Sequence, residues 1–292
     1  MKKLLFQLDT DPLPSVFDTV VAYDGGADHV IGYGGVTPET VGALVEGTIF
    51  TRSPKDKKYT ALFVGGSNLA DGQALVKAIQ KKFFADFRVS VMLDSNGSNT
   101  TAAAAVANLT KHGSVAGKKA VVLGGTGPVG QRASVMLTQE GAEEVVLTSR
   151  RMERAEAACR LMQERFGVTI TPAACAFDQP EIWEASIRQV LDGAHIVLST
   201  AAAGAHLLEE RHWKDSPSIE MMLDANAVPP LGVSGIEMMD RAKERHGKLC
   251  FGAIGFGALK IALHRASIAR LFERNDQRFD AEEIYALAKS LV

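Results

Sequence analysis

A glycine-rich turn supplies the first recognisable chemistry in the chain. Residues 125–130 read Gly-Thr-Gly-Pro-Val-Gly, the Gly-x-Gly-x-x-Gly spacing of many dinucleotide sites. The first glycine permits a tight turn, the second lets a pyrophosphate approach the backbone, and the third lets a helix pack against a strand. Free N–H groups at the helix start then favour phosphate charge. The spacing alone is a weak signal, and a structural turn is the alternative. The predicted coenzyme contacts here are Gly125, Thr126, Gly127, Pro128, Val129 and Gly130.

The next strand ends in hydroxyl and guanidinium groups. An NAD site usually places Asp or Glu at this point, to bind the ribose 2′-hydroxyl. This chain instead has Ser149, Arg150 and Arg151 and no carboxylate. Because guanidinium forks match phosphate oxygens, the residues favour NADP, with NAD as a weaker alternative. The other interpretation is that one or both arginines simply begin the next helix in solvent, Arg151 more readily than Arg150.

Two further segments carry candidate site residues. Thr200 and Ala201 follow an apolar strand predicted over residues 194–199, where small residues commonly lie beneath the nicotinamide ribose. Lys260 ends a glycine-studded apolar run, before a helix predicted over residues 261–272. It is either a desolvated site lysine or a snorkelling lysine at a helix start.

The elements that position these residues alternate between strand and helix. Residues 118–151 read as a strand, a turn, a helix from Gln131 to Glu140 and a second strand; a helix over 152–166 and a short strand over 168–170 follow. The first hundred residues alternate in the same way, with polar loops at residues 7–11, 24–29 and 94–101. This pattern predicts the α/β class with mostly parallel sheets. We expect an N-terminal substrate domain over 1–108, helices of 265–292 packing back on it, and a Rossmann-type doubly wound NADP-binding domain over 109–264.

The composition and the motifs that the sequence lacks argue against several classes of protein. The 292 residues are 46% hydrophobic and 23% charged, with a net charge of −2, which argues against a nucleic-acid or membrane surface. No apolar run approaches the length of a membrane-spanning helix. The three cysteines are scattered without metal-ligand spacing, so we expect no metal and a reducing cytoplasm. Hydrolase elbows, zincin helices and P-loop lysines are absent from the sequence.

Together, several segments resemble one family over nearly the whole chain. They are Phe6–Asp11, Tyr23–His29, Met92–Ala103, the Gly125–Gly130 turn and Phe251–Arg265. In order and spacing they are similar to the bacterial NADP-dependent methylene-tetrahydromethanopterin dehydrogenases. The resemblance implies oxidation of the methylene bridge of a tetrahydropterin to the methenyl form, with NADP+ accepting a hydride. It also implies one-carbon (formaldehyde) metabolism in the cytoplasm, a two-domain subunit with the site in the interdomain cleft, and a homo-oligomer.

The resemblance also assigns roles to residues. It implies that Lys260 lies at the active site and that the N-terminal loops hold the pterin. The substrate contacts expected on this basis are Gln7, Asp9, Thr10, Asp11, Asp28, His29 and Asn99. Hydride removal from N–CH2–N leaves a delocalised cation and releases no proton, so no general base is required. A charged Lys260 beside that cation would oppose the reaction; we therefore expect it to bind a pterin or glutamyl oxygen, or to be partly neutral.

Two other functions are also compatible with the sequence. One is a related two-domain dehydrogenase, such as a folate dehydrogenase–cyclohydrolase or a shikimate-type enzyme. The other is an NADP-binding sensor without turnover. A cyclohydrolase needs a group that activates water, and the sequence does not show one.

Overall fold

The chain forms two compact units in a computed structural model that describes residues 1–176 and 179–292. Unit 1 comprises Met1–Thr100 and Ile261–Leu291, and unit 2 comprises Thr101–Lys260 with the last residue. The chain passes between the units inside two helices, α4 (Ser98–His112) and α8 (Ala253–Leu271). The boundaries predicted at residues 108 and 264 lie inside the same two helices.

Unit 1 is built on a five-stranded parallel sheet in the order β12-β4-β3-β1-β2. Its strands are β1 (Leu4–Asp9), β2 (His29–Tyr33), β3 (Thr60–Gly65), β4 (Ser90–Leu93) and β12 (Arg278–Phe279). Its helices are α1 (Val16–Asp24), α2 (Val41–Phe50), α3 (Leu69–Lys81) and α9 (Ala281–Ser290). The strands carry near-continuous apolar runs because a parallel sheet is covered on both faces. Leu8, Leu62 and Leu75 are fully buried in the resulting core.

Unit 2 is built on a seven-stranded sheet in the order β10-β11-β9-β8-β5-β6-β7, parallel except for β10. Its strands are β5 (Lys119–Leu123), β6 (Glu144–Ser149), β7 (Thr171–Ala174), β8 (Ile196–Ser199), β9 (Met221–Asp224), β10 (Lys243–Arg245) and β11 (Lys248–Phe251). Its own helices are α5 (Pro128–Gln139), α6 (Met152–Phe166) and α7 (Pro180–Leu191). Omitting β10, this is the doubly wound Rossmann order. The predicted α/β class and Rossmann-type sheet are confirmed.

Each sheet reverses its strand order at one place. In unit 1 the chain moves from β1 to β2 on one side and to β3 on the other; in unit 2 it moves from β5 to β6 and later to β8. Open α/β sheets bind ligands outside the carboxyl ends of the strands at such switch points. The β1/β3 and β5/β8 junctions are therefore the expected ligand sites of the two sheets.

Several predicted boundaries are wrong. The strand predicted over residues 168–170 lies at Thr171–Ala174, and β2 was not predicted. Helix α8 begins at Ala253 rather than Ile261, because its glycines permit close packing rather than ending a helix. A Cβ on Gly255, in the first turn of α8, would overlap the carbonyl of Asp240, and one on Gly252, just before the helix, would overlap that of Glu237. No helix in the described ranges is both long and apolar enough to cross a membrane.

Candidate functional site

The turn after β5 holds the first candidate site, at the switch point of unit 2. Gly124 adopts a left-handed conformation with φ of 63°, and Gly125 donates its N–H to the carbonyl of Thr148 at 3.0 Å. The left-handed residue of the turn is thus the glycine just before the predicted motif. A Cβ on Gly124 would lie 2.8 Å from Cβ of Ala201. Only glycine satisfies both the backbone angle and this contact.

The amino terminus of α5 is open. Gly127 is its N-cap and supplies no side-chain acceptor, and Pro128 occupies the first turn. A Cβ on Gly127 would meet no atom within 4 Å, so the space beside its backbone is free. The uncapped N–H groups and the positive end of the helix dipole therefore face an open position, which suits a phosphate.

Gly130 holds α5 close to the turn. A Cβ there would lie 2.5 Å from Cα of Gly125 and 2.5 Å from Oγ1 of Thr200. Thr200 donates its own N–H to the carbonyl of Leu123 at 3.0 Å, which joins the end of β8 to the end of β5. The structure therefore brings the glycine turn, Thr200 and Ala201 together. Thr126 and Val129 are partly buried in the same turn.

The end of β6 places a hydroxyl and two guanidiniums at the same edge. Ser149 is 6% exposed, and its hydroxyl accepts the N–H of Arg151 at 3.4 Å. Arg150 and Arg151 are exposed, and Arg151 is the N-cap of α6. Arg151 therefore lies at a helix start, as the alternative interpretation has it, whereas Arg150 belongs to the loop that follows the strand.

The switch point of unit 1 is rimmed by two loops that are tied together. Asp11, after β1, accepts the N–H and the hydroxyl of Ser67 at 2.9 Å each, and Ser67 follows β3. Thr10 lies against Gly66, which has φ of 108° and no room for a Cβ. Both Thr10 and Asp11 are partly exposed. These are the unit 1 site residues that stand, partly exposed, at the β1/β3 switch point, where open α/β sheets have their ligand crevice.

Three other predicted substrate contacts are buried and bonded within unit 1. Asp9 is 1% exposed and accepts the N–H groups of Asp11 and Ser15. Gln7, also 1% exposed, bonds the carbonyl of Ser15 and the hydroxyl of Thr19. Asn99 is fully buried and donates to the carbonyl of Leu93 and to Asp280. These side chains shape the loops rather than presenting themselves at a surface.

Asp28 and His29 are not near the other candidates. His29 opens β2 and pairs in register with Leu4, at the start of β1, whereas Asp9 ends that strand. At 3.3 Å per residue the two positions are about 16 Å apart along the sheet. Asp28 accepts the N–H of Lys3, and the His29 ring contacts the Lys2 amine at 2.9 Å. The expectation that the 24–29 loop joins the substrate loops is corrected by the parallel pairing of β1 with β2.

Lys260 lies inside α8 and is partly buried, so the prediction of a lysine at a helix start is wrong. His264 follows one turn later and is fully buried. Its ring stacks on Phe63 at 5.5 Å, and Nδ1 lies 4.0 Å from one carboxylate oxygen each of Asp18 and Asp94. The Asp94 carboxylate also accepts the N–H groups of Asn99 and Thr100.

The predicted site residues do not include Gly124, Ser67, His264 or Asp94, which organise the two edges. The first two follow a glycine or precede one, and a search for paired glycines at strand ends finds them. His264 and Asp94 carry no such local signal, because their partners come from distant segments. No group of three or more His, Cys, Asp and Glu side chains among the described residues is arranged to hold a metal ion.

The mostly parallel sheets and the glycine turn at the switch point of unit 2 define the class as a Rossmann-type fold, of the kind that commonly binds dinucleotides. Two protein-family models match parts of the chain. Residues 16–96 match the family model "Methylene-tetrahydromethanopterin dehydrogenase, N-terminal", and residues 119–213 match the KR domain model.

Two relatives from Methylorubrum extorquens match along almost the whole chain. "Bifunctional protein MdtA" is 56% identical over 292 residues and covers 99% of each chain. "NAD(P)-dependent methylenetetrahydromethanopterin dehydrogenase" is 30% identical and covers 94% of this chain and 93% of the relative. The chain therefore belongs to the methylene-tetrahydromethanopterin dehydrogenase family.

Solved structures with little sequence similarity share the fold. Quinate dehydrogenase from Corynebacterium glutamicum superposes with a TM-score of 0.55 at 12% identity, covering 99% of each chain. The methylenetetrahydrofolate dehydrogenase–cyclohydrolase of Trypanosoma brucei superposes with a TM-score of 0.51 at 15% identity, covering 93% of this chain and 86% of the other. At these identities the likeness concerns the fold alone.

Proposed function

We propose that this enzyme oxidises the methylene bridge of methylene-tetrahydromethanopterin to the methenyl form and passes the hydride to NADP+. Family membership over the full length carries this proposal. The reaction converts N–CH2–N and NADP+ into N–CH=N+ and NADPH, and no proton is lost. The protein must therefore supply position and electrostatics rather than a general base.

The unit 2 edge fits NADP+. The open N-terminus of α5 and the free space at Gly127 suit the pyrophosphate. Arg150, exposed after β6 with no carboxylate in the place where NAD sites have one, suits a 2′-phosphate. Thr200 and Ala201 support the coenzyme on the other side of the switch point. When bound, NADP+ supplies the hydride acceptor, and these residues fix where that acceptor stands.

In unit 1 we assign pterin contact to the crevice rim, Thr10 and Asp11. Buried Gln7, Asp9 and Asn99 hold the loops that shape it. The Asp11 carboxylate is the group available to accept pterin N–H donors and to favour positive charge. Lys260 is assigned to the substrate, binding a pterin or glutamyl oxygen. If Lys260→Ala leaves kcat/KM for the methylene substrate unchanged, this role is wrong.

The test is a hydride-transfer assay read by NADPH fluorescence. Methylene-tetrahydromethanopterin and methylene-tetrahydrofolate are each offered with NADP+ and with NAD+. We expect turnover with the methanopterin substrate and NADP+, and weaker turnover with NAD+. No NADPH from either pterin would overturn the proposal and favour a coenzyme-binding sensor. Methenyl hydrolysis in the same mixture would indicate the dehydrogenase–cyclohydrolase alternative.

We also propose that the enzyme acts as a homo-oligomer in the cytoplasm. The segment at the start of α1 exposes apolar side chains, with Leu13 at 82%, Val16 at 77% and Val20 at 54%. Apolar surface of this kind is typical of subunit contacts. The three cysteines are buried and unpaired, as expected in a reducing compartment. Light scattering after size exclusion should give a multiple of the 31.2 kDa subunit mass, and a monomer would contradict the assembly.

A further inference from the structure

A buried carboxylate ends β9, outside the residues assigned so far. Asp224 is 1% exposed, and its oxygens accept the N–H groups of Asn226 and Val233 at 3.1 Å each. Burial raises the pKa of Asp224, and the Asn226 and Val233 N–H donors act against that shift. A carboxylate so deeply placed is costly unless hydrogen bonds compensate for its burial. The N–H groups of Asn226, Gly232 and Val233 that act on it belong to one loop, residues 225–233, and the Ser199 hydroxyl at the end of β8 acts in the same direction.

That loop is fastened to the loop that follows β8. The N–H groups of Leu207 and Leu208 both donate to the carbonyl of Gly232, at 2.8 and 3.1 Å. The ring of His206 bonds the carbonyl of Leu231 at 3.0 Å. Asn226 bonds Pro230 within the loop. Asp224 thus anchors, at its base, a joined pair of loops over the carboxyl ends of β8 and β9.

The loop pair lies on one particular side of the switch point. Asp224 is the register partner of Ser199, the last residue of β8, and β8 is the neighbour of β5. Ser149 and Arg150 lie on the opposite side of β5. A dinucleotide whose 2′-phosphate end lies at β6 and whose pyrophosphate lies at the α5 N-terminus directs its other end toward β8 and β9.

We propose that Asp224 is a positioning residue that holds the 225–233 loop as the support for the nicotinamide half of the coenzyme. This rests on the proposed NADP+ site in unit 2. Because Asp224 is buried, it acts through the loop whose N–H groups it binds. Loss of the Asp224 carboxylate should weaken the contribution of the nicotinamide half to NADP+ affinity and leave the contribution of the adenosine half unchanged.

Two ligands, NADP+ and 2′,5′-ADP, allow the contributions of the two halves of the coenzyme to be measured separately. Asp224→Asn replaces one acceptor oxygen by an amide NH2 group, which is a donor and faces a backbone N–H donor. By calorimetry we expect the Kd for NADP+ to rise about tenfold, roughly one lost hydrogen bond, and the Kd for 2′,5′-ADP to stay within about twofold. In the assay, the KM for NADP+ should rise while the KM for the pterin stays the same.

Asp240→Asn is the matched control. Asp240 is 6% exposed in the same unit, accepts the N–H of Glu237 and pairs with Arg245, and it lies beside α8 rather than at the switch point. It should lower thermal stability and leave both ligand affinities at wild-type values. If Asp224→Asn does not fold, Gly232→Ala perturbs the base of the same loop, since its methyl group would lie 2.2 Å from Oγ of Ser199 and 2.7 Å from Oδ1 of Asp224.

The outcomes are distinct. An unchanged Kd for NADP+, or an equal loss of 2′,5′-ADP and NADP+, overturns the positioning role. A wild-type enzyme that binds neither ligand overturns the proposed coenzyme site and, with it, this inference. A selective loss of NADP+ in Asp224→Asn, absent in Asp240→Asn, supports the role.

Discussion

The carboxyl edges of the two sheets are built in opposite ways. The edge of unit 2 is built from glycines. Gly124, Gly127 and Gly130 carry no side chains, which leaves exposed backbone and an open helix start. The edge of unit 1 instead carries polar side chains. Asp9 accepts from Ser15 in the loop after β1, Asp11 from Ser67 in the loop after β3, and Asp94 from Thr100 at the start of α4. The first edge suits a ligand that is common to many enzymes, and the second fixes loops of a particular shape. In this chain, the polar residues at the strand ends of unit 1 hold the loops in place.

The largest effect should come from Gly130→Val. Its side chain would press on Cα of Gly125, where even a Cβ comes within 2.5 Å, so α5 must move off the turn. We expect a loss of about 3 kcal/mol in the free energy of unfolding and loss of NADP+ binding. Denaturant unfolding and calorimetry measure the two quantities.

Gly127→Val is the matched variant for that change. Its Cβ enters free space and its φ of −75° suits any residue, so the fold should keep its stability within about 0.5 kcal/mol. NADP+ binding should nevertheless fall by at least about tenfold, because the side chain occupies the phosphate position. Equal stability losses in the two variants would contradict the assignment of Gly130 to helix packing and of Gly127 to coenzyme binding.

An intermediate effect should follow from Asp9→Ala at the edge of unit 1. The change leaves the N–H groups of Asp11 and Ser15 without their acceptor, which costs about 2 kcal/mol of stability. Because the loop also shapes the crevice, we expect the KM for the pterin to rise while the Kd for NADP+ stays constant. An NADP+ affinity that falls in parallel would show that the effects of the two edges are not separate.

Arg150→Ala should have a smaller effect, confined to coenzyme choice. Loss of one charge-assisted contact to the 2′-phosphate should raise the KM for NADP+ by about tenfold and leave the KM for NAD+ unchanged. Arg151→Ala is the comparison, since Arg151 begins α6. If Arg151→Ala shifts the preference for NADP+ and Arg150→Ala does not, the two assignments must be exchanged.

The smallest effect should come from His29→Ala. His29 is exposed at the opposite end of β1 from the crevice, beside Lys2. We expect a stability change within about 0.5 kcal/mol and unchanged KM values for both substrates. A raised KM for the pterin would restore the 24–29 loop to the substrate site.

The sequence predicted what depends on local pattern. Strand–helix alternation predicts the sheets, and the spacing of Gly125, Gly127 and Gly130 predicts the turn, because strand, turn and helix follow one another within one short stretch of the chain. The position of Asp28, at the amino-terminal end of the unit 1 sheet, could not be predicted in this way. Whether a polar loop lies at the carboxyl or the amino end of a sheet depends on which strand pairs with which, and β2 was not visible in the sequence. The burial of Asn99 likewise depends on Asp280, far along the chain.

Transfer of a labelled hydride tests the central claim most directly. The enzyme is given NADP+ and methylene-tetrahydromethanopterin that carries two deuterium atoms on its bridge carbon, and the NADPH formed is analysed by mass spectrometry. If the bridge carbon is the hydride donor, each NADPH carries one deuterium and the methenyl product keeps the other. Unlabelled NADPH, or none at all, would contradict the account.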